Sequence, residues 1–210
     1  MSAALDGAQA GALEACVAGG GVAVIPTDTV YGVCCDPDNE RAAEELYRLK
    51  RRPPTRACAV MFFALEPALR ALAGLRPRER LALKALLPGP VTVLLPNREL
   101  RFAPACRADP ASFGLRVPRL GERVAALASV ARPVMQSSAN ISGEPDARAF
   151  AEVPDSIVEQ AQVALDGGEL PGTPSTVIDL RDLDSEGRWH VLRDGALPRT
   201  AVEAVLASLP

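Results

Sequence analysis

Short apolar runs that end at glycine or proline alternate along this chain with longer segments of helical periodicity. Val22–Ile25 is followed by Pro26, and Val91–Leu95 follows a Pro-Gly-Pro turn, so each run has the length of a strand. Between them, apolar residues at helical spacing extend from about Asn39 to Arg51. Strands and helices intermix without a strict strand-helix-strand rhythm. The pattern therefore predicts an α/β fold, with a twisted mixed sheet and flanking helices.

The length of 210 residues suits one such unit, and no segment resembles an interdomain linker, so we expect a single domain over residues 1–210. The pattern predicts strands at 22–25, 57–63, 91–95, 113–117, 133–136, 162–165, 176–180 and 189–193. It predicts helices at about 6–18, 39–51, 67–72, 77–87, 120–131, 153–161 and 201–209.

The histidine and cysteine content limits the kinds of metal site, nucleophile and disulfide that this chain can form. His190 is the only histidine, which excludes a histidine-rich metal centre and leaves little room for a Ser-His or Cys-His nucleophile; we expect it in a strand. Five cysteines without a CxxC spacing argue against a disulfide framework or a zinc site. Cys34 and Cys35 are interpreted as small buried apolar residues, with a reactive pair as the alternative.

The charge and hydropathy patterns bear on location and partners. The N-terminal residues show no basic segment followed by an apolar one, and no apolar run is long enough to cross a bilayer, so we expect a cytoplasmic protein without a membrane partner. The net charge of −3 excludes a generally basic surface for nucleic acid.

Polar residues follow a predicted buried strand at Thr27-Asp28-Thr29. Such a position suits a small polar ligand, but the same residues also satisfy the backbone of an ordinary turn. A second segment, Lys50 to Arg56, carries four cations within seven residues. These suit either the C-terminus of a helix or a polyanion such as a triphosphate.

Hydroxyl and amide side chains follow one further strand, at Ser137–Gly143, and hydroxyl side chains begin another, at Ser175-Thr176. The first has small residues that let backbone N–H groups approach an anion, or it is a polar loop that caps the next element. The chain has neither a Walker phosphate loop nor a dinucleotide fingerprint.

The segments together resemble the Sua5/YrdC family of threonylcarbamoyl-AMP synthases. The resemblance runs from about Ala10 to Gly195 and rests on an ordered set of motifs: PTDTVYG, KxRP, PGPVT, RVP, SSANxSG, STVxD and RxG. It implies a short, YrdC-like form with a concave basic face, without the second domain of the longer members.

The resemblance also implies an activity. Members condense L-threonine, bicarbonate and ATP, with Mg²⁺ accompanying the ATP, into threonylcarbamoyl-AMP and pyrophosphate. The proteins of a threonylcarbamoyl-transferase complex then move the threonylcarbamoyl group to adenosine-37 of tRNA. The family motifs carry over onto named positions of this chain. Catalytic roles fall on Lys50, Arg52, Ser138 and Asn140; ATP contacts on Arg52, Arg56, Ser112, Ser138 and Arg193; threonine contacts on Thr29, Arg116 and Ser175; no metal ligand is assigned.

Three departures from the family pattern stand out. Arg56-Ala57-Cys58 replaces the Lys-Pro-Leu of most relatives, and Met61 stands where some long members have a substrate-contacting histidine. Asp146 stands where a small hydroxyl residue is common, and both a place beside magnesium and a peripheral one remain open for it.

Two other functions are alternatives. The first is a non-catalytic RNA-binding module, active in ribosome or tRNA maturation, although 4% aromatic residues offer little surface for base stacking; weak binding of tRNA is compatible with either function. The second is the related domain of carbamoyltransferases, which uses carbamoyl phosphate, but the modules that normally accompany it are missing from this sequence.

Overall fold

A computed structural model describes residues 3–209 of the chain. The strands are β1 Ala23–Ile25, β2 Gly32–Cys35, β3 Ala59–Met61, β4 Val91–Pro96, β5 Ser112–Arg116, β6 Val134–Ser138, β7 Val163–Ala164, β8 Thr176–Asp179 and β9 His190–Arg193. The α-helices are α1 Gly7–Ala18, α2 Glu40–Leu49, α3 Leu65–Ala71, α4 Pro77–Leu86, α5 Ala103–Cys106, α6 Asp155–Val158, α7 Leu183–Glu186 and α8 Arg199–Ala207.

The strands within residues 3–209 form one nine-stranded sheet in the order β7-β1-β2-β6-β3-β5-β4-β8-β9. Parallel pairs join β1 to β7, β3 to β5 and β4 to β8, and the other neighbours are antiparallel. The predicted mixed α/β sheet with flanking helices is therefore confirmed. The prediction of one domain over residues 1–210 includes Met1, Ser2 and Pro210, which lie outside the described residues.

Local signals in the sequence set the helix ends. Asp6 caps α1 in a capping box with Gln9, and the Asn39 side chain accepts the backbone N–H of Ala42 at the start of α2. At the end of α2, Arg51 has a left-handed backbone with φ 48°. The N–H of Arg52 bonds to the carbonyl of Tyr47, and that of Arg51 to the carbonyl of Arg48. This is a Schellman ending formed without glycine, and it reverses the chain within the basic segment.

Each face of the sheet has its own apolar cluster. Strand residues such as Val33, Val60 and Leu115 lie on the face covered by α2, α3, α4 and α8. Residues of the opposite parity, such as Ile25 and Met61, pack beneath α1 and the 122–129 segment. That second covering ends before β4, β5 and β8, so part of this face stays open.

Some elements differ from the sequence-based predictions. The predicted helix at 120–131 is a 3-10 helix over Glu122–Ser129, because Val124, Leu127 and Val130 are buried at a spacing of three. The predicted helix at 153–161 shrinks to α6, since the chain must turn to enter β7. The short helices α5 and α7 were not predicted, because four-residue helices carry no periodic signal.

The positions of the vicinal cysteines and of the histidine agree with the sequence-based expectations. Cys34 and Cys35 are buried and unbonded, and burial raises the pKa of both thiols, which supports the apolar interpretation. His190 lies in β9. No helix between residues 3 and 209 combines the length and the apolar character that a bilayer crossing requires.

Candidate functional site

A cavity of about 260 Å³ lies on the open part of the sheet. Its floor is made by neighbouring residues of five strands that point to the same side. Gly114 and Ala59 lie side by side in this floor. A Cβ on Gly114 would come within 3.3 Å of the Thr92 side chain, so small residues keep the floor deep.

Four of the described residues that line the cavity are charged. They are Arg52, Arg116, Arg193 and Asp146. Because the three arginines come from segments far apart in the sequence, only the folded chain brings their charges together. An excess of cations around a cavity favours an anionic ligand.

Arg116 extends from the end of β5 to the turn after β1. Its Nη2 donates to Asp28 Oδ1 at 2.7 Å and to the hydroxyl oxygens of Thr29 at 2.5 Å and Thr27 at 3.3 Å. The side chain is 4% exposed, and its Nε has no partner among residues 3–209. A buried N–H without a partner costs free energy that an acceptor from a ligand would recover.

Arg52 reaches the cavity from the loop after α2. Its Nη2 donates to the Ala57 carbonyl at 2.8 Å, while its buried Nε finds no acceptor in the described part of the chain. The reversal at Arg51 sends Arg52 towards the cavity and Lys50 into the protein.

Lys50 anchors the loop that follows β6 and does not line the cavity. It is 1% exposed, and its Nζ donates to the carbonyls of Ser138 and Asn140 and to Asn140 Oδ1. The Ser142 N–H bonds in turn to the Lys50 carbonyl at 2.8 Å. The basic segment (residues 50–56) and the loop at residues 137–143, called the SSAN loop, are therefore packed together.

The same contacts fix the hydrogen bonding of Ser138. Asn140 Oδ1 must be the amide oxygen, because Lys50 Nζ can only donate to it and Asn140 Nδ2 donates to the Glu144 carbonyl at 2.6 Å. The Ser138 hydroxyl then donates its proton to that oxygen at 2.6 Å. Its lone pairs are what remain for the cavity.

Burial lowers the pKa of Lys50 to about 8, and the nearby charge of Arg52 adds to this effect, while Cys58 and Asp146 oppose it. The ammonium form is the one that has a proton for each of its three acceptors. Protonation of Lys50 is therefore linked to the position of the SSAN loop.

Ser175 is held between β4 and β9 at another wall of the cavity. Its hydroxyl lies 2.8 Å from Thr92 Oγ1, and Arg193 Nη2 donates to the Ser175 carbonyl at 2.8 Å. Burial lowers the pKa of Arg193, with Asp146 opposing and Arg116 reinforcing the shift. Arg193 and Arg116 are thus close enough to repel each other, which an anion between them would relieve.

Gly195 makes this wall possible, since a Cβ there would lie 2.4 Å from the Pro174 carbonyl oxygen and 2.5 Å from the Thr176 nitrogen. We expect Gly195→Ala to lower the free energy of unfolding by about 1–3 kcal/mol, because backbone atoms must move to admit the methyl group. Chemical denaturation measures this change. Gly121→Ala is the matched control, as its Cβ would meet nothing within 4 Å. Equal stability of the two variants would contradict the prediction.

The structure brings most of the predicted site residues together. Arg52, Arg116, Ser138, Ser175 and Arg193 line the cavity. Three others support them from behind: Lys50 and Asn140 hold Ser138, and Thr29 holds Arg116.

Two predicted ATP contacts lie apart from the cavity. Ser112 shares the face of Gly114 and Arg116 but lies farther along β5, where its hydroxyl bonds to Asp109. Arg56 is exposed on the loop between α2 and β3.

Gln136, Thr92 and Val177 also line the cavity, although the motifs assign them no role. Thr92 and Val177 stand within the PGPVT and STVxD motifs, whereas Gln136 is signalled only by the alternation along β6, which cannot show which face stays open. Asp146, noted in the sequence as a departure, also lines it.

Comparisons with known proteins show which proteins this chain is similar to. The family model of Sua5, YciO and YrdC, described as "Telomere recombination", matches residues 15–195. The threonylcarbamoyl-AMP synthase of Chromohalobacter salexigens is 35% identical over 77% of this chain and 87% of its own length.

Solved structures share the fold. P. abyssi Sua5 complexed with L-threonine has a TM-score of 0.84 and 28% identity; the match covers 98% of this chain but 59% of that protein. E. coli YciO has a TM-score of 0.77 and 23% identity, with 94% of each chain covered, and shows likeness of fold alone.

Proposed function

The chain belongs to the Sua5/YciO/YrdC family, and we infer from this premise that it is a threonylcarbamoyl-AMP synthase. It condenses L-threonine, bicarbonate and ATP and thereby transfers an adenylyl group, as a nucleotidyltransferase does. One observation carries the proposal: three arginines from distant segments converge on a single cavity, and two of them have a buried Nε without a partner among residues 3–209.

Arg116 is proposed to bind the carboxylate of threonine. Its guanidinium is oriented by Asp28 and Thr29, and its buried Nε has no partner among residues 3–209. A planar guanidinium suits a carboxylate because two N–H groups can donate in parallel. Ser175 adds a hydroxyl on the neighbouring wall.

Arg52 and Arg193 are proposed to bind the phosphates of ATP, with Ser138 beside them. Contacts of Arg56 and Ser112 with ATP stay predictions. Lys50 and Asn140 act in this proposal as positioning residues, because they hold Ser138 and its loop.

The proposed reaction does not require a histidine as general acid or base. The neutral amine of threonine forms a bond to the carbon of bicarbonate, the bond from that carbon to its hydroxyl group breaks, and the hydroxide leaves with one amine proton as water, which gives a carbamate. A carbamate oxygen then attacks the α-phosphorus of ATP, the bond from that phosphorus to the bridging oxygen breaks, and pyrophosphate leaves. Both reactants are anions, so positioning and cationic side chains supply the catalysis; positioning alone accounts for about 7–11 kcal/mol in favourable cases.

Magnesium is proposed to accompany ATP, where it would neutralise phosphate charge. The cavity fits such an ion, since Asp146 and the lone pairs of Ser138 are hard oxygen donors of the kind magnesium prefers.

The product is proposed to pass to a threonylcarbamoyl-transferase complex that modifies adenosine-37 of tRNA, in the cytoplasm. A stable RNA-binding function without catalysis gains no support, because each aromatic side chain of residues 3–209 is buried or half-buried and offers little surface for stacking.

The test is the release of pyrophosphate from ATP in the presence of L-threonine and bicarbonate. We expect release only when both are added, and detection of threonylcarbamoyl-AMP by mass spectrometry. Serine should react more slowly, since a missing methyl contact is worth about 1–3 kcal/mol. Pyrophosphate release that ignores threonine, or none at all, would refute the proposal.

A further inference from the structure

Asp146 is an anion in a cavity that otherwise favours anionic ligands. It lines the same space as Arg52, Arg116 and Arg193, yet it forms no hydrogen bond or ion pair with any residue of the described chain. Its charge acts on Lys50 and on Arg193 from beyond contact distance. Beside the phosphates of ATP, an unpaired carboxylate would repel the ligand that the arginines attract.

Ser138 presents a second acceptor to the same space. Its proton is committed to Asn140 Oδ1, so towards a ligand it offers lone pairs and no donor. A phosphate oxygen gains nothing from a lone pair. Lys50 Nζ bonds to the Ser138 carbonyl and also experiences the charge of Asp146, which places the two acceptors in one neighbourhood.

A cation between the protein and the phosphates would offset the charge of Asp146 and would accept the lone pairs of Ser138. Magnesium is bound in nucleotide sites by one or two protein oxygens together with phosphate oxygens and water, and a serine hydroxyl is a known ligand of this kind. We propose that Asp146 and the Ser138 hydroxyl hold the divalent ion that accompanies ATP, so that this chain selects the metal-loaded nucleotide over metal-free ATP. The inference rests on the proposed function, since it assumes that ATP occupies the cavity.

The experiment compares the binding of ATP, without threonine or bicarbonate, in excess Mg²⁺ and in excess EDTA, by titration calorimetry. We expect the wild-type protein to bind ATP at least about tenfold more tightly with Mg²⁺. In Asp146→Asn, binding with Mg²⁺ should weaken and binding in EDTA should strengthen, which brings the ratio towards one. Glu144→Gln, which removes a charge from the exposed part of the same loop, is the matched control and should keep the wild-type ratio.

A second measurement does not depend on the nucleotide affinity alone. With Mn²⁺ in place of Mg²⁺, the free ion is counted by electron paramagnetic resonance in the presence of saturating ATP. Asp146→Asn should weaken Mn²⁺ binding to the protein–ATP complex at least about tenfold. Thermal melting checks the fold, which we expect to be unchanged because Asp146 has no partner to lose among residues 3–209.

The outcomes separate the two proposals. The assignment of Asp146 would be overturned if Asp146→Asn kept the wild-type ratio of ATP affinities in Mg²⁺ and in EDTA. It would also be overturned if the substitution raised the affinity for ATP equally in both conditions. Either result would leave the proposed synthase activity intact. Failure of the wild-type protein to bind ATP in either condition would instead overturn the proposed function.

Discussion

Arg116→Gln is expected to lower threonine-dependent pyrophosphate release at least about thirtyfold. Truncation of one partner of a buried, hydrogen-bonded charge pair costs about 2 kcal/mol or more, and each 1.36 kcal/mol corresponds to about a factor of ten in rate. The substitution removes the guanidinium that is proposed to bind the carboxylate of threonine. It also removes the hydrogen bonds from that guanidinium to Asp28 and Thr29. The rate is measured over a range of threonine concentrations.

The same substitution should also destabilise the fold, by about 3–5 kcal/mol, because it leaves the carboxylate of Asp28 buried without its cation. The double variant Asp28→Asn with Arg116→Gln removes that orphan charge. We expect it to regain most of the stability and none of the activity. Arg119→Gln, on an exposed neighbour that meets Asp28 only through its backbone N–H, is the control. If the double variant recovers activity along with stability, Arg116 has no role in binding threonine.

Lys50→Met is expected to lower pyrophosphate release about a hundredfold, although Lys50 does not line the cavity. The substitution keeps the length of the side chain but removes the donor that joins the Ser138 carbonyl, the Asn140 carbonyl and Asn140 Oδ1, so Ser138 loses its position. Displacement of a reacting group by about 1 Å is enough for a loss of this size. The unpaired acceptors should lower the free energy of unfolding by about 1–3 kcal/mol.

The pH dependence distinguishes positioning by the Lys50 ammonium from simple packing. Wild-type activity should fall as pH rises through about 8, where Lys50 loses the proton that its third acceptor needs, and Lys50→Met should lack this decline. Stability should show the opposite sign. The folded state holds fewer protons on Lys50 between pH 8 and 10.5, so the wild type should gain stability relative to Lys50→Met across that window. Lys84→Met, on the exposed face of α4, is the control. Parallel profiles for the wild type and Lys50→Met would show that the charge of Lys50 is not used.

The sequence allowed the mixed sheet to be predicted, and the motifs at the ends of β5, β6 and β9 supply three of the residues that line the cavity, Arg116, Ser138 and Arg193. It could not show that Lys50 turns away from the cavity while Arg52 turns towards it. That division depends on Arg51, a non-glycine residue in a left-handed conformation, which helix-ending rules do not anticipate.

The open face of the sheet was equally hidden from sequence reasoning. Gly114 and Ala59 differ from other small strand residues only because no helix covers them. Their exposure to the cavity depends on where α1 and the 122–129 segment end. The placement of Ser112 away from the cavity has the same origin, since alternation gives the side of a strand and not the distance along it.

The walls of the cavity come from opposite ends of the sequence, with Arg52 near the first quarter and Ser175 and Arg193 near the end. Synthesis of the chain must therefore pass Arg193 before the proposed nucleotide site is complete. A nucleotide bound as proposed would connect late strands to early ones, and its free energy of binding would add to the stability of the whole sheet.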